Sequence, residues 1–397
     1  MRILIFNTLY FPERVGGAEI SVQLLAEALA TRGYQVRVVC LSKMGPRREA
    51  SVNGVSVVYL PLRNIYWPFE GKRQPLLKKI IWHFLDQYNI LMKRSVSKEI
   101  ESFRPDLVHT NNLSGFSVSV WSAAKEYGLK VLHTSRDYYL FHHDCKLFDS
   151  KARQNIEPRT LSVMLLSMFK KFQSRHVDAY VGISKYIATL HTRHRFFINA
   201  SDKVIYNTIP SPVSGTGQPT SRSPGDPHLF LTFGFIGRLT IDKGFDVFCE
   251  LARKFSNSDR CRFVAAGKFD DFGGMQQLAI ESGVSHLGYI PVEEFMALVD
   301  LVILPSQWAE PFGRAVVEGI SHGKIVLTNR VGGISELAEL FPNIHFLEDF
   351  EHGDIFSLRP EQVMKVQMRQ FEPEYVCQQY EDAYAALAGF RHASAES

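Results

Sequence analysis

The sequence predicts an α/β protein built as two doubly wound domains joined by a linker. Three observations point there. The chain has 397 residues, more than one hydrophobic core usually serves. Short apolar runs alternate with helix-length segments, and that pattern runs through twice. Between the two passes, residues 211–227 (SPVSGTGQPTSRSPGDP) are rich in Pro, Gly, Ser and Thr and almost free of apolar side chains.

Residues 2–6 are apolar and predict the first buried strand, followed by a loop containing Pro12 and Gly16-Gly17. Ile20, Leu24, Leu25, Ala28 and Leu29 then recur at helical spacing until Gly33. Runs at 35–41, 55–60, 106–109, 130–133 and 179–183 predict further parallel strands, and 204–206 leads into the linker. Beyond it, 229–236, 262–266, 301–304 and 324–327 are the strands of the second pass. Residues 373–390 close the chain with Tyr375, Tyr380, Tyr384 and Leu387 at helical spacing. The expected domains are 1–205 and 206–372, with a ligand cleft between the carboxyl ends of two facing sheets.

Composition narrows the function. With 45% hydrophobic and 22% charged residues, the chain is neither disordered nor collagen-like. Its five cysteines are scattered and form no CxxC pair, which excludes a disulfide framework or structural zinc site and fits a reducing compartment. The formal charge of +4 hides an asymmetry: +14 over residues 1–200 and −10 over 201–397. A basic half suits an anionic partner, whether a phospholipid surface, a phosphorylated acceptor or nucleic acid. No nucleic-acid reader motif supports the last of these, so no nucleic-acid partner is expected. No segment approaches the roughly 18–20 apolar residues that span a bilayer. The start, MRILIFNTLYFP, reads as a strand and not a signal peptide, so the expected location is cytoplasmic.

The most informative block is Pro305–Arg314 (PSQWAEPFGR), followed by Glu318. A strand ends at Pro305, a tight loop carries Glu310, and Gly313 opens a helix. Backbone N–H groups at such a helix start favour phosphate oxygens. Two carboxylates at this junction suit sugar hydroxyls, while the alternative is a surface loop with two solvated glutamates. In the second block, Gly237-Arg238 ends a strand and Asp242-Lys243-Gly244 follows. Arg grips phosphate bidentately and Lys acts as a point charge, although ordinary solvated loops carry such cations too. Gly16-Gly17 is not GxGxxG, so the dinucleotide fingerprint is absent and a nicotinamide dehydrogenase is not expected.

Taken together and in order, these residues resemble a known family. Gly16-Gly17, Pro105–His109, Val181–Ser184, Val204–Asn207, Gly237-Arg238 with Lys243-Gly244, Gly288-Tyr289, Glu310–Gly313 with Glu318, and Val331-Gly332-Gly333 with Glu336 are similar to glycosyltransferase family 4. The resemblance runs from the first strand to about residue 340 and is looser between 60 and 180. It implies a GT-B fold, two Rossmann-like domains facing across a cleft, and a C-terminal helix (about 373–397) that returns to the first domain. It also implies retaining transfer from a UDP- or GDP-sugar, used as substrate, with no cofactor and no metal. By the same resemblance Arg238 and Lys243 bind the diphosphate, Glu318 the ribose, and Glu310 the donor sugar beside the backbone of Phe312 and Gly313. Gly16 and Gly17 would meet the diphosphate and Tyr289 would border the base. The implied mechanism is attack on the face from which the leaving group departs. Double displacement through Glu310 stays open.

The acceptor side departs from the family. Relatives often carry His-x-His after the fourth strand and His-Asp after the next; here these read His109-Thr110-Asn111 and Arg136-Asp137-Tyr138. His109 is therefore either a catalytic residue or a hydrogen-bonded strand-end histidine. Asn111, Arg136 and Asp137 are the acceptor-side candidates, for a glycan or lipid-linked acceptor, with an unusual or anionic acceptor as the alternative that the departures suggest. His133, His142 and His143 show no metal-ligand pattern.

The basic half also carries two amphipathic stretches. Over 75–94, Leu77, Ile80, Ile81, Phe84, Tyr88 and Leu91 share a stripe flanked by Lys72, Arg73, Lys78, Lys79, Lys93 and Arg94. Over 161–175, Met164, Leu165, Met168, Phe169 and Phe172 lie beside Lys170, Lys171 and Arg175. Such helices either hold an anionic membrane, placing the protein peripherally on its inner face, or pack their stripes on the sheet. The resulting reading is a glycosyltransferase of surface glycan synthesis. The alternatives are a catalytically silent nucleotide-sugar-binding subunit and a non-hydrolysing nucleotide-sugar epimerase.

Overall fold

The structure, a computed structural model, describes residues 1–13, 16–43, 45–69, 74–210, 230–269, 274–350, 358 and 365–389. The linker expected at 211–227, Lys72, Arg73 and Phe390 lie outside the described residues. The chain divides into two units: residues 1–147, 157–208 and 371–397 in the first, and 148–156 with 209–370 in the second. The short segment 148–156 thus belongs with the second unit, although sequence placed it inside an unbroken first domain.

Strands β1 (Arg2–Phe6), β2 (Gln35–Ser42), β3 (Arg48–Val52), β4 (Val55–Pro61), β5 (Leu107–Thr110) and β6 (Lys130–Ser135) build most of the first sheet. A two-residue hairpin, β7 (Phe148–Asp149) and β8 (Gln154–Asn155), comes next along the chain. Strands β9 (Ala179–Gly182) and β10 (Ser201–Val204) then complete the first sheet. Its order is β10-β9-β6-β5-β1-β2-β4-β3, parallel except that β3 runs antiparallel to β4. All but one residue of β3 is exposed, so this edge strand has no apolar periodicity to betray it in the sequence. The order turns between β5 and β1, and the loops leaving both strands meet there: Thr8 N–H donates to the Asn112 carbonyl at 2.9 Å.

The core of this unit lies between β1, β2 and β4 and two helices. Val22, Leu25 and Leu29 of the helix Gly17–Thr31 pack with Ile3, Ile5, Val38 and Val57. The C-terminal helix Pro373–Ala388 adds Val376, Cys377, Tyr380 and Tyr384 to the same cluster. Each large side chain buried this way stabilises by about 1.5–3 kcal/mol. Arg32 ties the two helices at the surface through Glu381 and by donating to Gln378 Oε1 at 2.9 Å.

That packing decides the role of His109. It is fully buried, with Nδ1 2.8 Å from the Tyr384 hydroxyl and Nε2 2.9 Å from Thr134 Oγ1. Burial, with Arg136 nearby, holds its pKa well below the usual imidazole range. With both ring nitrogens taken and the side chain buried, His109 sits as the hydrogen-bonded strand-end histidine, the packing alternative of the two weighed from the sequence. His133 is its neighbour in kind, buried with Nδ1 2.9 Å from Thr110 Oγ1.

The single stripe read over 75–94 is two helices, Leu76–Leu85 and Ile90–Phe103. Asn89 caps the second by accepting the Met92 N–H at 3.0 Å, and buried Asp86 accepts the Gly115 N–H at 2.8 Å, so the chain must turn between them. The helix Leu161–Gln173 buries Lys170, which leaves the exposed basic set drawn from the sequence.

The second unit holds β11 (Leu231–Ile236), β12 (Cys261–Ala266), β13 (Ser285–His286), β14 (Leu301–Leu304), β15 (Ile325–Thr328) and β16 (Ile344–Phe346). They form one parallel sheet in the order β13-β12-β11-β14-β15-β16. The order reverses between β11 and β14, the switch point at which an open α/β sheet binds its ligand. The hairpin of β7 and β8 belongs to this unit. Among the described residues no helix is long and apolar enough to cross a membrane, and the five cysteines are free.

Replacing Tyr384 with Phe removes one hydroxyl and strands a buried ring nitrogen. We expect Tyr384→Phe to lower stability by about 1–3 kcal/mol in urea melts. A melt unchanged from the native protein would show that the His109 contact carries no weight.

Candidate functional site

Two loops meet at the β11/β14 switch point. After β11 the chain runs through Arg238, Asp242 and Lys243 to Gly244; after β14 it runs from Pro305 to Gly313. The Asp242 carbonyl accepts the N–H groups of Gln307 at 3.0 Å and Trp308 at 3.2 Å, which stitches the loops together. Gly244 has φ +75°, and a Cβ there would lie 1.7 Å from the Pro305 carbonyl oxygen. Only glycine lets the loops approach this closely.

The approach brings opposite charges together. Lys243 Nζ lies 2.5 Å from Glu310 Oε1, and the Ser306 hydroxyl donates to the same oxygen at 3.1 Å. The Lys243 ammonium also sits 4.9 Å from the centre of the Trp308 ring. Both members of the pair are largely shielded, with side chains 23% and 13% exposed. Burial pulls the Lys243 pKa down, and Glu310 opposes that pull. Arg238 lies on the same loop, its Nη2 3.2 Å from Asp242 Oδ2.

Behind Glu310 stands the Val331-Gly332-Gly333 turn. The Gly333 N–H donates to the Glu310 carbonyl at 2.7 Å. At Gly332, φ is +54° and a Cβ would meet that carbonyl oxygen at 2.3 Å, so a second glycine is required for contact. The backbone of Glu310 is therefore fixed from one side and its carboxylate from the other.

Gly313, left-handed at φ +94°, opens the helix Arg314–Ser321. Phe312, just before it, is buried in the core of the unit. Glu318 is paired within the helix, its Oε1 accepting from Arg314 Nε at 2.7 Å. Tyr289 follows Gly288 and is 77% exposed. Structure thus joins Lys243 directly to Glu310, keeps Arg238 on the same loop, and sets Glu318 in a pair with Arg314.

In the first unit, Asn111 Oδ1 accepts from Arg136 Nε at 2.8 Å, and Arg136 Nη1 donates to Asn207 Oδ1. All three are buried. Asp137 stands apart from this chain of contacts, accepting the Tyr139 N–H at 2.9 Å, and burial pushes its carboxyl up to about 6. Gly16 precedes the helix Gly17–Thr31, and its N–H donates to Glu19 Oε2 at 2.9 Å, so the protein's own carboxylate occupies that helix start. His142 lies 2.5 Å from Asp144, and no group of three metal-ligating side chains occurs among the described residues.

One residue escaped the sequence reading. Asn155, on β8, uses both ends of its amide: Oδ1 accepts the Ala309 N–H at 2.8 Å and Nδ2 donates to the Gln307 carbonyl at 3.2 Å. From the same hairpin, Arg153 Nη1 lies 3.0 Å from Asp246 Oδ2, while Gln307 Nε2 donates to Asp246 Oδ1 at 2.8 Å. The hairpin braces the backbone just before Glu310. Strands of two residues leave no periodicity, and no motif marks Asn155.

Comparison with known proteins shows the family and the fold. The description Glycosyltransferase Family 4 matches residues 15–211, and Glycosyl transferases group 1 matches residues 221–345. An uncharacterized 42.6 kDa protein in the cps region of Klebsiella pneumoniae is 44% identical, over 97% of this chain and all of that protein. Sucrose-phosphate synthase from Thermosynechococcus elongatus has the same fold, with a TM-score of 0.67 and 16% identity over 98% of this chain and all of that one. Anabaena HepE in complex with UDP gives a TM-score of 0.63 and 18% identity over the same shares. These neighbours place the two doubly wound units in the GT-B fold.

If Asn155 braces the loop, the Ala309 amide loses its acceptor in Asn155→Ala. Hydrogen–deuterium exchange of a peptide covering 305–312 should then speed up by about tenfold, the equivalent of about 1.4 kcal/mol of local opening. Exchange at the native rate would remove Asn155 from the loop's support.

Proposed function

The chain belongs to glycosyltransferase family 4, and on that premise we propose that it moves a sugar, with retention, from a UDP- or GDP-sugar to a hydroxyl of a lipid-linked or polysaccharide acceptor in surface glycan synthesis. That it is a glycosyltransferase follows from the family. Donor, acceptor and stereochemistry are our reading. The observation that carries it is the Lys243–Glu310 contact at the switch point, with Arg238 on the adjoining loop.

A departing nucleotide diphosphate gains negative charge in the transition state. Arg238 and Lys243 are two cations on one loop placed to take that charge, the work that other enzymes give to a divalent ion. Transfer without added metal is therefore expected. The positive end of the helix Arg314–Ser321, behind the backbone of Phe312 and Gly313, adds to the same field. UDP in the HepE complex supports the choice of a nucleotide donor. The cps-region relative supports a surface polysaccharide as the destination.

Glu310 is read as the residue that orients the sugar and stabilises its cationic transition state. Lys243 and Ser306 both hold Oε1, which weakens the carboxylate as a nucleophile. We therefore favour attack on the face from which the diphosphate leaves, with the diphosphate taking the acceptor's proton. Five unpaired thiols fit work in a reducing, cytoplasmic compartment.

Two outcomes follow. Glu310→Gln should lower kcat by about a hundredfold or more, with nucleotide affinity within a few-fold of native. Native turnover in that variant would remove Glu310 from the chemistry. Incubation with a 2-fluoro donor should leave the protein mass unchanged, and a stable sugar adduct on Glu310 would replace the same-face mechanism with double displacement.

A further inference from the structure

The helices Leu76–Leu85 and Leu161–Gln173 are built inside out. In the second, the residues turned inward are Val163, Ser167, Lys170 and Gln173. Its outward residues are Leu161, Met164, Leu165, Met168, Phe169 and Phe172, of which Leu161 is 69% exposed and Met168 65%. Inward-facing Lys170 anchors the helix, donating to the Tyr139 carbonyl at 2.7 Å with its ammonium 3.6 Å from the Tyr139 ring centre. The first helix has one fully buried side chain, Trp82, whose Nε1 donates to the Tyr66 carbonyl at 3.0 Å. Leu76, Leu77, Ile80, Ile81 and Phe84 of that helix are exposed, Phe84 by 77%. The ring of Phe169, on the second helix, lies 5.7 Å from that of Tyr88, in the turn that follows the first helix. The sheet-packing alternative weighed from the sequence is therefore not the one the fold adopts.

Charge selects what covers this face. Lys78, Lys79, Arg94 and Arg175 are exposed around it and Lys171 is half-buried. Residues 161–175 contain no carboxylate, and the one in 75–94, Asp86, is buried. A two-fold contact with a second copy would set these cations against their own counterparts, with no exposed carboxylate on either stretch to offset them. An apolar face whose own two stretches carry exposed cations and no exposed carboxylate suits the boundary between acyl chains and anionic headgroups.

We propose that this two-helix face of the first unit docks the protein on an anionic lipid bilayer. Resting on the transferase reading, it also favours a lipid-linked acceptor over free polysaccharide. Docking itself needs only the first unit.

The test is cosedimentation of the full chain with phosphatidylcholine vesicles, with and without about 30% phosphatidylglycerol. Partitioning should be about tenfold stronger on the anionic vesicles and fall several-fold when salt rises from about 0.05 to about 0.5 M. The triple variant Leu77→Glu, Phe84→Glu, Leu165→Glu changes exposed positions only, so its thermal midpoint and nucleotide affinity should stay native while vesicle binding is lost. Lys78→Glu with Lys79→Glu, which leaves the apolar stripe intact, should weaken anionic binding by itself. Equal binding to both lipids, or binding to neither, overturns the proposal. So does a dimer in sedimentation velocity that the triple variant splits, because a second copy would then be the occupant. Vesicle binding that persists where nucleotide binding fails would overturn the donor reading and leave this one standing.

Discussion

The candidate site depends on how closely two loops of the second unit approach at the β11/β14 switch point. The approach is possible because Gly244 presents no Cβ to the Pro305 carbonyl, and it is held by the Asp242 carbonyl accepting from Gln307 and Trp308. Only with the loops in that register can Lys243 reach Glu310. Gly332 and Gly333 support Glu310 from behind, and Asn155 supports the backbone ahead of it. A partly buried ion pair of this kind is costly to form and costly to break from one side. The surrounding supports give it one geometry, which is what a site needs if its charges are to act at a fixed point in space.

The first unit shows the reverse distribution of polarity. Its interior holds a polar chain through His109, Thr134 and Tyr384, and a second through Asn111, Arg136 and Asn207. Buried polar groups are tolerable because they find one another, and His109 stays neutral there. Outside, two helices present leucines, methionines and phenylalanines where water would be. That outward stripe is the face we propose to dock on lipid.

Much of this was legible in the sequence. The strand–helix alternation predicted β1, β2, β11 and β14 because buried parallel strands are apolar on both faces. The blocks 237–244 and 305–318 predicted the switch-point loops, and their charges were visible as residue types. What was hidden was distance. Nothing in the string tells Lys243 from Arg238 as the partner of Glu310, and nothing pairs Glu318 with Arg314 except helical spacing. His109 looked equally fit for catalysis or packing because the deciding contact, Tyr384, lies 275 positions away. The edge strand β3 and the hairpin of β7 and β8 were missed because exposed or two-residue strands carry no apolar signal. The amphipathic helices were recognised as such, but amphipathicity alone does not say which face is turned outward.

The most direct measurement is calorimetric titration of the protein with UDP and with GDP in the presence of a chelator. Lys243→Ala and Arg238→Ala are titrated alongside. If the switch-point cations hold the diphosphate, one nucleotide should bind without metal, and each variant should weaken it by about tenfold or more, about 1.4 kcal/mol or above. Native affinity in both variants would contradict the assignment and move the donor site away from the β11/β14 loops.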